Sequence, residues 1–266
     1  MDFMHTTQSI PHWLKRRIVD SYVLVYFFVD CALAMVFLIV TGQLFASFAR
    51  WAKQFDGTGN AIISMQWISP NNAVGQILSV VLVTGMTSYA VYRMRCPATA
   101  GERQVAWAAF FRAKTWLWLV LGSLSVIAVN ALVTHWLTQM GIAINPTNGD
   151  LIRQAIRQSP TFLLLFVVII APLYEELLFR RVLFGRFSRA GQHRMGLCLS
   201  STAFAVIHEI PGHSMNGWAV LFSLWFVYGA IGCILAIVYQ RTQALWVSVV
   251  VHGCNNLVAL LQLIYG

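Results

Sequence analysis

Two adjacent carboxylates, Glu175 and Glu176, interrupt the apolar run FLLLFVVIIAPLYEELLFR that spans residues 162–180, and Arg180 follows Glu176 at i+4. Even on lenient insertion scales, an ionisable group near a bilayer centre costs about 2.5–3.5 kcal/mol. Such a pair calls for a partner or a reaction. Three more polar groups interrupt later apolar runs: His208, four residues after Phe204, and His252, four residues before Asn256. Residues at i and i+4 share a helical face, so Glu176 can pair with Arg180 and His252 stands beside Asn256. Glu175 then projects about 100° away from Glu176, toward another helix.

These residue types suit hydrolysis of an amide without a metal. A buried carboxyl group can act as general base or acid near neutral pH. Glu175 and His208 together can bind and deprotonate one water. His252 and Asn256 can donate hydrogen bonds to the oxyanion that forms when that water attacks a peptide carbonyl. Glu176 and Arg180 would support the site, and Phe204 would pack beneath it. No metal and no cofactor enters this scheme.

Other chemistries use some of the same parts. Two glutamates and two histidines also form zinc and di-iron ligand sets, which keeps a metal-dependent membrane protease open as an alternative. The segment from His208 to His213 resembles the zincin helix motif, but the second histidine comes one position too late and Pro211-Gly212 break the helix. The Glu-x-x-His pair of di-iron bundles is missing. A proton-coupled transporter would show an inverted repeat of broken segments, and none is visible. A buried ion pair used only for packing would leave a non-catalytic immunity or signalling scaffold.

The elements that hold these residues follow from composition. The chain has 266 residues, of which 58% are hydrophobic and 10% charged, with a mean hydropathy of +0.68. Soluble domains carry about 25% charged residues, so the expectation is an all-α, polytopic transmembrane helical bundle. Apolar segments lie near 21–48, 72–93, 114–139, 161–184, 195–209, 217–239 and 243–265, which predicts about seven or eight membrane segments plus short amphipathic helices. The fifth, at about 15 residues, is the shortest of them. At about 1.5 Å per residue, Glu175, His208 and His252 come to depths close enough to converge.

Lys and Arg number 18 against 9 Asp and Glu. No basic stripe with interleaved aromatics lies outside the spans, so nucleic acid is not expected as a partner. The excess instead orients the chain. With the N-terminus cytoplasmic, the inner loops hold Arg93, Arg95, Arg103, Arg112, Lys114, Arg181, Arg186, Arg189 and Arg194, against Arg50, Lys53, Arg153 and Arg157 outside. Residues 10–19 read as an interfacial helix with Trp13 at headgroup depth and Lys15, Arg16 and Arg17 toward the cytoplasm, and residues 1–20 are too polar for a signal-peptide core. Residues 150–158 read as an amphipathic helix on the outer surface. Breakers at 56–60, 69–72, 145–149 and 210–217 mark outer turns.

The remaining polar and reactive residues have plainer readings. The five cysteines are scattered, with no disulfide or zinc spacing. Cys254 faces away from His252 and reads as a small hydrophobe. Asp30 reads as a structural partner for a nearby polar group, and Asn130 and His135 as packing or interfacial residues. The tryptophans cluster toward span ends, as aromatic belts do.

The sets Glu175-Glu176-x-x-x-Arg180, Phe204-x-x-x-His208 and His252-x-x-x-Asn256 resemble the three motifs of the CAAX protease and bacteriocin-processing (CPBP, Abi) family. That family of intramembrane glutamate proteases includes the type II CAAX prenyl endopeptidases. The resemblance covers roughly residues 150–262, and no motif position is degraded. It implies a peptide hydrolase in which Glu175 and His208 activate water, His252 and Asn256 stabilise the oxyanion, and Glu176 and Arg180 support them. It also implies a membrane-associated protein or peptide substrate and a multi-pass location in the bacterial inner membrane. The expected organisation is one membrane domain, with residues 151–266 as catalytic core and 1–150 as a region for substrate selection. Oligomeric state has no sequence signature.

Overall fold

The computed structural model describes residues 12–55, 73–142, 149–211 and 217–265, with side chains described from residue 21 to 47 in the first of these. Every regular element among the described residues is helical. Helix α1 (His12–Phe55) is followed by α2 (Ala73–Arg95), α3 (Ala100–Ala108) with a 3₁₀ turn at Ala109–Phe111, α4 (Ala113–Gln139) and α5 (Gly149–Gln158). The long α6 (Pro160–Arg189), α7 (His193–His208), α8 (Trp218–Thr242) and α9 (Leu245–Tyr265) complete the bundle. Six of these helices, α1, α2, α4, α6, α8 and α9, are long and apolar enough to cross a membrane. This is a multi-pass membrane protein. Helix α7 has 16 residues and is too short for a full crossing at about 1.5 Å per residue.

Several of the expectations concern other residues. The turns at 56–60, 69–72 and 145–148, the side chains of Trp13, Lys15, Arg16 and Arg17, and His213 lie outside the described residues.

Local sequence explains the joints between helices. Thr99 caps α3: its hydroxyl accepts from the Glu102 N–H while the Glu102 carboxylate accepts from the Thr99 N–H, a reciprocal capping box. Gly191 takes φ +75°, which lets the chain turn back from α6 into α7 within three residues. Where α7 crosses α8, a Cβ on Gly232 would stand 3.0 Å from that of Ser201, so small residues set the spacing of the two helices.

One apolar core runs through the bundle, from Val23 and Phe27 of α1 through Val182 and Phe187 of α6 to Val251 of α9. A second cluster lies at the opposite end, where Ile152 and Ile156 of α5 pack against Ile77 of α2 and Leu260 of α9. The amphipathic helix anticipated at 150–158 therefore lays its apolar face on the bundle end.

Ion pairs tie the N-terminal helices to α6. Asp30 is fully buried and bridges Arg95 (Nε, 2.5 Å) and Arg186 (Nη2, 2.6 Å), with both guanidiniums over the Tyr26 ring at 5.2 and 5.1 Å. Arg181 differs from its reading as a loop charge. It is buried within α6, where Nη2 and Nη1 donate to Glu102 at 2.6 and 2.8 Å and Nε to the Cys96 carbonyl at 3.2 Å.

Arg181, joined by the Thr99 N–H, holds the Glu102 carboxyl down at about 2, against an ordinary value of 4.5. A depressed carboxylate contributes stability above the unfolded-state pKa and loses it as pH falls through the folded-state value. Wild type is therefore expected to lose thermal stability in detergent as pH falls from 4.5 toward 2, with a shallower slope in Glu102→Gln. Equal slopes would show that the pair contributes nothing.

Candidate active site

Helix α6 carries both glutamates, and its backbone is irregular on either side of them. Phe166–Ile170 and Leu177–Phe184 are π-helical, while Ala171–Glu176 between them is α-helical with Pro172 in its first turn. Proline cannot supply the N–H that an α-helix needs at that point, and a wider turn on its N-terminal side accommodates the ring. Pro172 interrupts the α-helical ladder, and the chain meets that constraint by widening. Such turns frequently mark functional segments.

Widening also exposes backbone carbonyls to α9. A Cβ on Gly253 would lie 2.4 Å from the Val168 carbonyl oxygen, so only glycine lets α9 approach this segment. Three residues on, Asn256 Nδ2 donates to the Val167 carbonyl at 3.0 Å. The approach that Gly253 permits thus places His252 and Asn256 against α6.

Glu176 is fully buried and holds two partners. Arg180 Nε lies 2.9 Å from Oε2, and His252 Nδ1 lies 3.0 Å from Oε1. Because carboxylate oxygens only accept, His252 Nδ1 carries the proton toward Glu176. The Arg180 guanidinium is itself fully buried, with its carbon 4.6 Å from the centre of the Phe204 ring. An ion pair and a cation–π contact thus hold one buried charge. The expected Glu176–Arg180 pairing is present, and Phe204 does more than fill space.

Glu175 turns to the other side. Its Oε2 lies 3.6 Å from His208 Nε2 and 3.7 Å from His252 Nε2, so both imidazoles face one carboxylate oxygen. His208 is the last residue of α7, and its Nδ1 lies 2.7 Å from the Phe204 carbonyl, an acceptor. That bond assigns the Nδ1 proton and leaves the Nε2 lone pair toward Glu175. The His208 ring lies between two aromatics, Phe204 at 4.3 Å and Tyr228 of α8 at 4.6 Å, the latter nearly parallel at 29°.

The structure therefore brings Glu175, Glu176, Arg180, Phe204, His208 and His252 together, from α6, α7 and α9. Asn256 stands one turn beyond His252 on α9, with its Oδ1 3.4 Å from Asn255 Nδ2. Among the described residues no three His, Cys, Asp or Glu side chains form a group able to hold a metal ion. Sequence reasoning missed Tyr228, one aromatic in an apolar span, because nothing in its spacing separates it from packing. It also missed the Val167 carbonyl, since backbone availability has no side-chain signature.

The segment that carries these residues is similar to known proteins. The family model described as Type II CAAX prenyl endopeptidase Rce1-like matches residues 157–258, a stretch that includes every residue of the cluster. The chain is 31% identical over 143 residues to the membrane-embedded CAAX protease MroQ of Staphylococcus aureus (strain USA300), covering 52% of this chain and 54% of that protein. It is 27% identical over 124 residues to a Bacillus subtilis (strain 168) protein named "Putative membrane peptidase YdiL", covering 46% of each. The chain spans about half the length of the curated relatives it matches. No solved structure matches it. Residues 157–258, which carry the motif residues of α6, α7 and α9, are thus similar to the Rce1-like type II CAAX prenyl endopeptidases.

Proposed function

We propose that this protein is an intramembrane endopeptidase of the glutamate type, hydrolysing a peptide bond of a membrane-associated protein or peptide without a metal. The observation that carries the reading is the single Glu175 oxygen faced by His208 Nε2 at 3.6 Å and His252 Nε2 at 3.7 Å. Both separations exceed direct hydrogen bonding, and a water held against all three groups would meet each at ordinary distance. Glu175 takes the proton of that water as its oxygen attacks the scissile carbonyl, while His208 Nε2 accepts its second hydrogen and orients it.

The oxyanion needs donors. His252 Nδ1 bonds to Glu176, so its Nε2 donates only when the ring is protonated. Glu176 fixes the His252 ring through Nδ1, which gives it a role beyond pairing with Arg180. Asn256 contributes the second N–H of its amide, the first being held by the Val167 carbonyl. Collapse of the tetrahedral intermediate breaks the C–N bond, and the proton held by Glu175 passes to the leaving amine.

The working location is the cell membrane of a bacterium with the N-terminus cytoplasmic, an orientation supported by loop charge. The purified chain in nanodiscs, assayed on membrane peptides with and without a chelator, tests the mechanism. Cleavage unaffected by EDTA supports it, and loss on EDTA restored by zinc overturns it. New C-termini in membranes of wild type, absent from a Glu175→Ala strain, would identify substrates. A Glu175→Gln protein that protects or signals like wild type would instead favour the scaffold reading.

The aromatic clamp on His208 adds a second test. Tyr228→Ala is expected to lower kcat/KM about 10²-fold by letting the imidazole shift. Tyr228→Phe keeps the stacked ring and most of the rate. Equal losses in both variants would mean that the hydroxyl, not the ring, matters.

A further inference from the structure

The junction between α2 and α4 is a short helix followed by a 3₁₀ turn. Helix α3 has no buried residue, and the 3₁₀ turn after it ends in two exposed rings. Trp107 is 72% and Phe111 74% exposed, beside the half-exposed Phe110 and Trp116. Phe110 contacts both Trp107 (6.5 Å, stacked) and Trp116 (5.4 Å, edge-on), so the rings form one continuous surface.

This ledge is rigidly attached. Trp246 at the start of α9 donates its indole N–H to the Ala106 carbonyl at 2.9 Å, and Trp116 donates to the Phe110 carbonyl at 2.8 Å. Arg181 of α6 grips Glu102 near the start of α3. Indole and phenyl rings held beside the first turns of two membrane-spanning helices sit where hydrocarbon meets headgroups.

Its charge is one-sided. Arg103, Arg112 and Lys114 are exposed on or beside the ledge. Glu102 is neutralised by Arg181, and no Asp or Glu follows it until Asp150. Guanidinium and ammonium groups beside embedded rings complement phosphate, and the adjoining hydrocarbon leaves little room for a soluble partner.

We propose that α3 and its 3₁₀ turn form a docking surface for anionic phospholipid headgroups, with the four rings in the interfacial layer and Arg112 and Lys114 on the lipid phosphates. The surface lies outside the Glu175–His208–His252 cluster, and the proposal stands whatever reaction that cluster performs.

The full chain in detergent, examined by native mass spectrometry against phosphatidylglycerol and phosphatidylcholine, tests this without any activity readout. Wild type is expected to retain phosphatidylglycerol selectively. Arg112→Gln with Lys114→Gln is expected to weaken that retention roughly thirtyfold, from the strength of two basic residues near an anionic surface. The charge-preserving pair Arg112→Lys with Lys114→Arg keeps retention near the wild-type level and separates loss of charge from loss of fold. Arg153→Gln with Arg157→Gln, at the other end of the bundle, leaves retention unchanged. Equal retention of the two lipids by wild type, or an equal loss in the α5 variant, overturns the proposal. So does a soluble acidic peptide that binds Arg112 and Lys114 as tightly as phosphatidylglycerol does.

Discussion

Glu175→Gln is expected to lower peptide hydrolysis by about 10²–10⁴-fold, the usual contribution of a positioned general base, while the protein still folds. Glutamine keeps the shape of the side chain but cannot take a proton from water. The fold should tolerate the change because no described contact of Glu175 is a close ion pair, its approaches to His208 and His252 being 3.6 and 3.7 Å. Initial rates on a membrane peptide, with a thermal melt of each variant in the same detergent, check both halves. A wild-type rate would remove Glu175 from the mechanism, and a collapsed melt would make it a structural residue.

Glu176 is expected to behave in the opposite way. Its carboxylate is fully buried between Arg180 and His252, so Glu176→Ala leaves a buried guanidinium without its counter-charge. Breaking a buried pair from one side typically costs about 3–5 kcal/mol. That is a large fraction of a normal stability margin. The expected result is poor folding and a strongly lowered melt.

A double variant separates charge from chemistry. Glu176→Leu with Arg180→Met removes both charges and is expected to recover most of the stability, since buried pairs are often replaceable by apolar residues of similar size. It should stay inactive, because His252 Nδ1 then loses the carboxylate that orients its ring. An active double variant would confine Glu176 to packing. Exchanged phenotypes, with position 175 destabilising and 176 purely catalytic, would overturn the division of roles between the two glutamates.

Much of this is legible in the amino-acid sequence, for definite reasons. Hydrocarbon excludes charge strongly, so Glu175, Glu176, Arg180, His208 and His252 stand out against their apolar runs. Helical periodicity is local, so the Glu176–Arg180 pairing at 2.9 Å and the turn of Glu175 away from Glu176 follow from spacing. Asp30 needs a partner and has two, Arg95 and Arg186. The number of spans is less legible. Six helices qualify and α7 stops at 16 residues, because a short apolar run reads alike whether it crosses a membrane or ends inside a protein, as this one does at His208.

By itself the sequence determined which residues must be explained, because their cost in a membrane and their i,i+4 relations depend only on the local chain. What sits across from them was decided by the tertiary structure alone. His252 turns Nδ1 to Glu176 and Nε2 to Glu175, the ring of Tyr228 covers His208, and Glu102 reaches Arg181 across 79 residues. Each of these depends on how far helices approach one another. That approach is set at a few points, such as Gly253 against the widened turn of α6, where one methyl group would meet a backbone carbonyl. Distance of this kind has no period and no composition, which is why only the packed helices carry it.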